Sequence, residues 1–275
     1  MPDLSGKVAI VTGAGRYRGI GRDTALALAQ AGADVAVTGT GRSPDTFPDD
    51  EKEMGWRDIE SVADEIRAMG RRALSIVADL GDPAQARNIV EQTVAELGSV
   101  DILVNNAAYA MAGDRVPVVE LDDAIWHRVL DIKVHGSYYA SKAAAQAMIR
   151  QGNGGSIVMV SSIAGKIHPR NFAAYVVSNM SLQGLTGSLS KELGDYNINV
   201  NTVCPGVIDT SRWDNKRDNT PGGQEEWERL ETNIPMGRPG TGADVASTIV
   251  FLCSEEGHWI SGQSINIDGG QVSSH

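Results

Sequence analysis

Ten residues near the start of the chain, Thr12-Gly13-Ala14-Gly15-Arg16-Tyr17-Arg18-Gly19-Ile20-Gly21, hold four glycines between an apolar run and a helical pattern. Glycines in such a turn let the chain reverse tightly and let bare backbone approach a pyrophosphate. The phosphates then rest on the free N–H groups that open the following helix. A glycine-rich stretch alone also describes an ordinary strand–helix turn. Its place directly after an N-terminal strand makes dinucleotide binding the stronger reading.

A second set of residues bears on which dinucleotide. A carboxylate at the end of the second strand would hold the ribose 2′-hydroxyl of NAD, and a basic residue there the 2′-phosphate of NADP. Asp34 lies at the start of that strand, away from the ribose, and its end reads Thr38-Gly39-Thr40-Gly41-Arg42-Ser43 with no carboxylate. Arg42, helped by Arg18, is placed to clamp a phosphate with charge-assisted bonds. The expectation is that NADP(H) is favoured and NAD(H) possible; solvated loop arginines are the other reading. The acidic stretch from Pro44 to Gly55 reads as a surface excursion near the adenosine end.

These residues need a scaffold, and the pattern of the chain supplies one. Short β-branched runs (Lys7 to Thr12, Asp34 to Thr38, Ala73 to Val77, Asp101 to Asn105, Gly155 to Val160, Ile198 to Val203, Ser264 to Ile267) alternate with helical patterns. The helices are expected at Ile20 to Ala31, Ile59 to Met69, Pro83 to Leu97, Leu121 to Ile149, Ala173 to Leu193 and Ala243 to Ser254. Strands alternating with helices of this length imply right-handed crossovers and an α/β fold: one doubly wound parallel sheet, Rossmann-like, covered on both faces. Ligands in such sheets bind beyond the carboxyl ends of the strands, where the glycine turn falls.

The 275 residues contain no linker, low-complexity run or internal repeat, so residues 1–275 read as a single domain. With 41% hydrophobic residues the chain can bury a large core, and its net charge of −11 argues against nucleic-acid or anionic-membrane partners. No apolar run is long enough to span a bilayer, and the first strand begins too early for a signal peptide. Cys204 and Cys253, the only cysteines, and the five histidines show no metal-ligand spacing, so no metal site is expected. These features together imply a reduced, cytoplasmic protein.

The glycine turn resembles the T-G-x(3)-G-x-G turn of short-chain dehydrogenases/reductases, with two extra residues between Gly13 and Gly19. Further landmarks of that family stand in order from about Leu4 to Gly270: Asp79-Leu80, Asn105-Asn106-Ala107-Ala108, Ser161-Ser162, Tyr175, Pro205-Gly206-Val207-Ile208-Asp209-Thr210 and Asp268-Gly269-Gly270. The resemblance implies a cofactor site built from Gly13, Arg18, Gly19, Ile20, Gly21, Arg42, Asp79, Leu80, Asn105, Ala107, Pro205, Gly206, Ile208 and Thr210. Asp79 would contact adenine, and Thr210 would bond the nicotinamide carboxamide. It also implies a substrate lid at about residues 211–235, and packing of the long helices between subunits as a dimer or tetramer.

By the same resemblance, Tyr175 exchanges a proton with the substrate oxygen and Ser162 holds that oxygen. The family places a Lys four residues after the Tyr, and an Asn in the long helix before it. Here the two are exchanged: Asn179 stands at the Lys position and Lys133 at the Asn position. A phenol with a pKa of about 10 needs a nearby cation to work near neutrality, and an opposite charge at about 4–6 Å supplies roughly 1–3 units. The expectation is a relocated cation, with Lys133 activating Tyr175 and Asn179 bonding the ribose or a water chain. The implied reaction is hydride transfer between NADP(H) or NAD(H) and a ketone or secondary alcohol. A non-catalytic nucleotide-binding relative is the alternative. Tyr109, Met111, Ile163, His168 and Phe172 are candidate pocket walls.

Overall fold

The computed structural model describes residues 2–110, 113–214, 217 and 222–273. Seven strands form one sheet: β1 (Val8–Val11), β2 (Asp34–Gly39), β3 (Ala73–Val77), β4 (Ile102–Asn105), β5 (Gly155–Val160), β6 (Ile198–Pro205) and β7 (Ser264–Ile267). Their order is β3-β2-β1-β4-β5-β6-β7, every pair parallel. The order reverses between β1 and β4, which opens a crevice at their carboxyl ends.

Alternation along β1 divides the core into two layers. Ala9 and Val11 face α1 (Ile20–Gln30) and α3 (Ile59–Ala68), whereas Val8 and Ile10 face α4 (Pro83–Leu97). The first layer is completed by the helix Gly242–Leu252, and the second by α6 (Gly136–Gln151) and α8 (Ala173–Leu193). Ile10, Leu103 and Ile157, on adjacent strands, are fully buried, each contributing about 1.5–3 kcal/mol relative to exposure. The caps follow the side chains: Asp82 accepts from the N–H groups of Ala84 and Gln85 at the start of α4, and Gly98, with φ of 96°, ends it.

Two local departures from the sequence expectations matter for function. The helix expected over Leu121 to Ile149 is α5 (Asp123–Leu130) and α6 joined by a π-turn at Asp131–His135. An extra residue in the turn swings Lys133 inward. The stretch Pro44 to Gly55 is a surface excursion, mostly exposed, but an anchored one. It forms a 3₁₀ turn (Pro44–Thr46) and the short helix α2 (Asp49–Glu53), and it buries Phe47 and Glu51, with Trp56 buried just beyond. Its apolar side chains join the layer beside α3.

Candidate active site

A cleft of about 1600 Å³ opens at the carboxyl ends of β1, β2 and β4. Its floor is the glycine turn. Gly13 has φ of +68°, and a Cβ there would lie 2.8 Å from the Cα of Ala107; only glycine lets β1 and β4 approach so closely. A Cβ on Gly21 would meet the Gly13 carbonyl at 2.6 Å. Gly19 caps α1 without a side-chain hydrogen bond, leaving the N–H groups of the first turn free for an anion. A bare cradle beside a free helix N-terminus fits the pyrophosphate of a dinucleotide.

Of the residues expected at the cofactor, Gly13, Arg18, Gly19, Ile20, Gly21, Arg42, Asp79, Leu80, Ala107 and Thr210 line this cleft. Asn105, Pro205, Gly206 and Ile208 do not. Asn105 instead donates to the Ser141 hydroxyl at 2.9 Å, tying β4 to α6, while its Oδ1 has no partner. The Gly206 N–H bonds Ile267, and Ile208 is buried in a bridge to Gly240. These three support the strand end from behind. Asp79 is paired with Arg128 at 2.7 Å.

The two arginines expected to clamp a phosphate already hold carboxylates. Arg18 bonds Asp50 and Asp214. Arg42 bonds Glu51 at 2.9 Å and Asp58 at 3.2 Å. Asp58 was not legible as a site residue. It follows the excursion by three residues, and its carboxylate sits where a Gly15 side chain would be, 1.5 Å from the ideal Cβ. Glu51 accepts the Tyr17 N–H, and the Trp56 indole donates to the Gly15 carbonyl. The excursion therefore folds onto the glycine turn, which it meets at Gly15 and Tyr17.

The catalytic candidates lie behind one wall of the cleft. Ser162, at the end of β5, is 8% exposed and accepts the Ala164 N–H. Tyr175, in the first turn of α8, lies under Phe172 and Arg115, both of which line the cleft. The Lys133 ammonium does not bond Tyr175. It donates to the Val160 carbonyl at 2.6 Å and is 5% exposed. Burial, with a smaller push from Arg212, lowers its pKa to about 7. Asn179 is fully buried; its amide donates back to the Tyr175 carbonyl at 2.7 Å, and its Oδ1 has no partner. The cation over the Tyr175 ring is Arg115, 4.7 Å from its centroid.

Of the other candidates, Tyr109 and Phe172 line the cleft, whereas Ile163 is buried and His168 is an exposed residue with φ of +50°. Met111 lies outside the described residues, as do residues 215–216 and 218–221 of the expected lid. Cys204 is buried, and burial raises its thiol pKa, as suits a packing residue.

A family model described as enoyl-(acyl carrier protein) reductase matches residues 13–271. The chain is 36% identical over 271 residues to an L-rhamnose 1-dehydrogenase (NAD(P)(+)) of Sphingomonas, covering 97% of this chain and 96% of that one. A putative NAD(P)-dependent gluconate 5-dehydrogenase of Beutenbergia cavernae, crystallised with NADP, superposes with a TM-score of 0.84 at 33% identity, covering 99% of each chain. Carveol dehydrogenase of Mycobacterium avium in complex with NAD superposes with a TM-score of 0.85 at 27% identity, covering 98% of this chain and 99% of that one.

Proposed function

This chain belongs to the short-chain dehydrogenase/reductase family and is an NAD(P)-dependent oxidoreductase, and from that premise we propose how its own residues carry the reaction and on what. The substrate is a ketone or secondary alcohol, Tyr175 is the general acid/base, and Ser162 holds the reacting oxygen. The observation that carries this reading is the glycine cradle on the floor of the strand-end cleft together with Tyr175, which lies directly behind the cleft-lining Arg115 and Phe172 side chains.

The nicotinamide, once bound, supplies or accepts the hydride. Tyr175 Oη gives its proton to the carbonyl oxygen in reduction and takes it back in oxidation. The Ser162 hydroxyl donates to the same oxygen and fixes its position. Lys133, whose buried ammonium bonds the carbonyl of Val160 just before Ser161-Ser162, is the base or cation that balances charge on this side of the site. Two of its N–H groups are left for a water path, and the open Asn179 Oδ1 is a second station on that path. Replacing Lys133 with Met is expected to abolish turnover while NADPH still binds; retained turnover would falsify the assignment.

NADP(H) is the preferred cofactor in this reading and NAD(H) is accepted, with modest discrimination. Arg42 shared between Glu51 and Asp58 is neither a free cation for a 2′-phosphate nor beside a free carboxylate for a 2′-hydroxyl. We place the substrate lid at about residues 211–235, where the described helix α9 (Gly223–Thr232) packs Trp227 on Trp213. The domain assignment, one cofactor-binding and catalytic unit over residues 1–275, rests on the single sheet. A homo-oligomer is supported by apolar Tyr138, Val177 and Met180, exposed on α6 and α8. Two buried free thiols fit a reducing, cytoplasmic compartment.

A further inference from the structure

We propose that the substrate carries a carboxylate within a few bonds of its reacting carbon, and that Arg115 is the residue that holds it. The proposal rests on the oxidoreductase reading of the same cleft.

The arginines of the cleft fall into two groups. At the adenosine end, three guanidiniums are bonded to carboxylates, Arg18 to Asp50 and Asp214, Arg42 to Glu51 and Asp58, and Arg128 to Asp79, and Arg16 lies in the field of Glu51 and Asp58. At the Tyr175 end the pattern is the opposite. Arg115 sits over two rings, its Cζ 4.5 Å from the Phe172 centroid and 4.7 Å from that of Tyr175. Among the described residues it makes no hydrogen bond or ion pair, and its Nε is buried without a partner. Arg212 spends its bond on the Tyr109 carbonyl at 2.7 Å, and exposed Arg170 completes the same wall. Asp114 is the one acidic neighbour; it is 2% exposed, is not ion-paired with Arg115, and itself leaves Oδ1 open.

A guanidinium held against aromatic faces keeps its N–H edge available. That edge is a planar fork, which matches the two oxygens of a carboxylate. Its place over the Tyr175 ring sets the guanidinium beside the phenol that handles the reacting oxygen. The pyrophosphate belongs to the glycine turn, at the other end of the cleft, so the cofactor does not claim this cation. The carboxylate is a spectator. In oxidation the carbinol C–H bond breaks, the hydride reduces the oxidised nicotinamide, and the hydroxyl proton passes to the Tyr175 phenolate; reduction reverses each step.

The test uses acetoacetate, levulinate and 5-oxohexanoate, each beside its methyl ester, with NADPH as reductant. In the wild-type protein the best acid is expected to exceed its ester in kcat/KM by about 30-fold, the worth of one charge-assisted bond. In Arg115→Gln the acid-to-ester ratio falls to near one, and Arg115→Lys, which keeps the charge and loses the fork, gives an intermediate ratio. Equal use of acids and esters by the wild type would overturn the proposal, as would a ratio unchanged in Arg115→Gln, or a phosphate-bearing ketone preferred to every carboxylate. Calorimetry of the same acids on Tyr175→Phe loaded with NADP⁺ separates this inference from the functional reading. Arg115-dependent binding there with no wild-type turnover of any ketone leaves the inference standing and removes the catalytic assignment. Turnover of neutral ketones without acid binding does the reverse.

Discussion

Lys133 keeps its ammonium 2.6 Å from the Val160 carbonyl in a place where 5% of the residue is exposed. Burial moves its pKa from 10.5 to about 7, so between those values the folded protein holds fewer protons than the unfolded chain. Stability from this group therefore rises as the pH rises from about 7 toward 10, and the full penalty is present below 7. A shift of that size corresponds to about 5 kcal/mol, against about 1 kcal/mol for the bond to Val160. Lys133→Met is thus expected to be inactive yet more stable at pH 6, by about 1–4 kcal/mol after relaxation. Denaturant unfolding at pH 6 and 9.5 should show the gain shrinking at the higher pH. A destabilised Lys133→Met protein would mean that the ammonium is stabilised by something beyond Val160. Asp58 is the second residue with a sharp consequence. Asp58→Asn leaves Arg42 half free, and the ratio of kcat/KM for NADP over NAD should rise about tenfold, the worth of one charge-assisted contact. A fall in that ratio would make Asp58 a phosphate-orienting group instead.

At the scale of elements, the helix Gly242–Leu252, α10 in chain order, shows how local chemistry fixes a boundary. Thr241 and Asp244 form a reciprocal capping box, and Arg238 bonds the same carboxylate at 2.8 Å. Those bonds hold the Asp244 carboxyl well below the usual range, with Arg238 the largest contributor. A depressed carboxylate contributes stability above about pH 4 and loses it as the pH falls through the folded value. Asp244 is about a third exposed, so solvent screening reduces the worth of the ion pair; the cap itself is worth about 1 kcal/mol. Asp244→Asn should lower the melting temperature at pH 7 and lower it by less near pH 2, as scanning calorimetry at the two pH values would show. The sequence expectation began this helix at Ala243, one residue inside the boundary that the cap sets. The π-turn at Asp131–His135 was not readable. It inserts one residue into an otherwise continuous helix, and Lys133 is the buried residue within it.

At the scale of the whole molecule, a net charge of −11 coexists with a cleft lined by arginines. The cleft gathers cationic side chains where a dinucleotide and, on the proposal above, an anionic substrate would sit. The outward faces of α6 and α8 carry Tyr138, Val177 and Met180, each at least 40% exposed, next to Gly184 and Gly187, beside which a Cβ would meet open space. Light scattering should give a multiple of the 29.2 kDa chain mass, and Val177→Lys with Met180→Lys should reduce it to one chain. A wild-type monomer at micromolar concentration would remove the interface.

Strand–helix alternation, the glycine turn and the order of the motifs determined the doubly wound sheet and the cofactor crevice, because each depends on short-range periodicity or on residues close in sequence. Every strand expected from the pattern is present within a residue or two at its ends. The partners of the charged residues were decided only by the tertiary structure. Arg42 looked free because its carboxylates lie nine and sixteen residues further along, beyond a bend that sequence does not show. Lys133 looked close to Tyr175 because the exchange with Asn179 suggested it, but 27 residues separate it from the Val160 carbonyl it bonds. Arg115 carried no motif at all. Which cation meets which oxygen depends on how the turns after β2, β4 and β5 converge, and that convergence is set by packing across the sheet rather than by spacing along the chain.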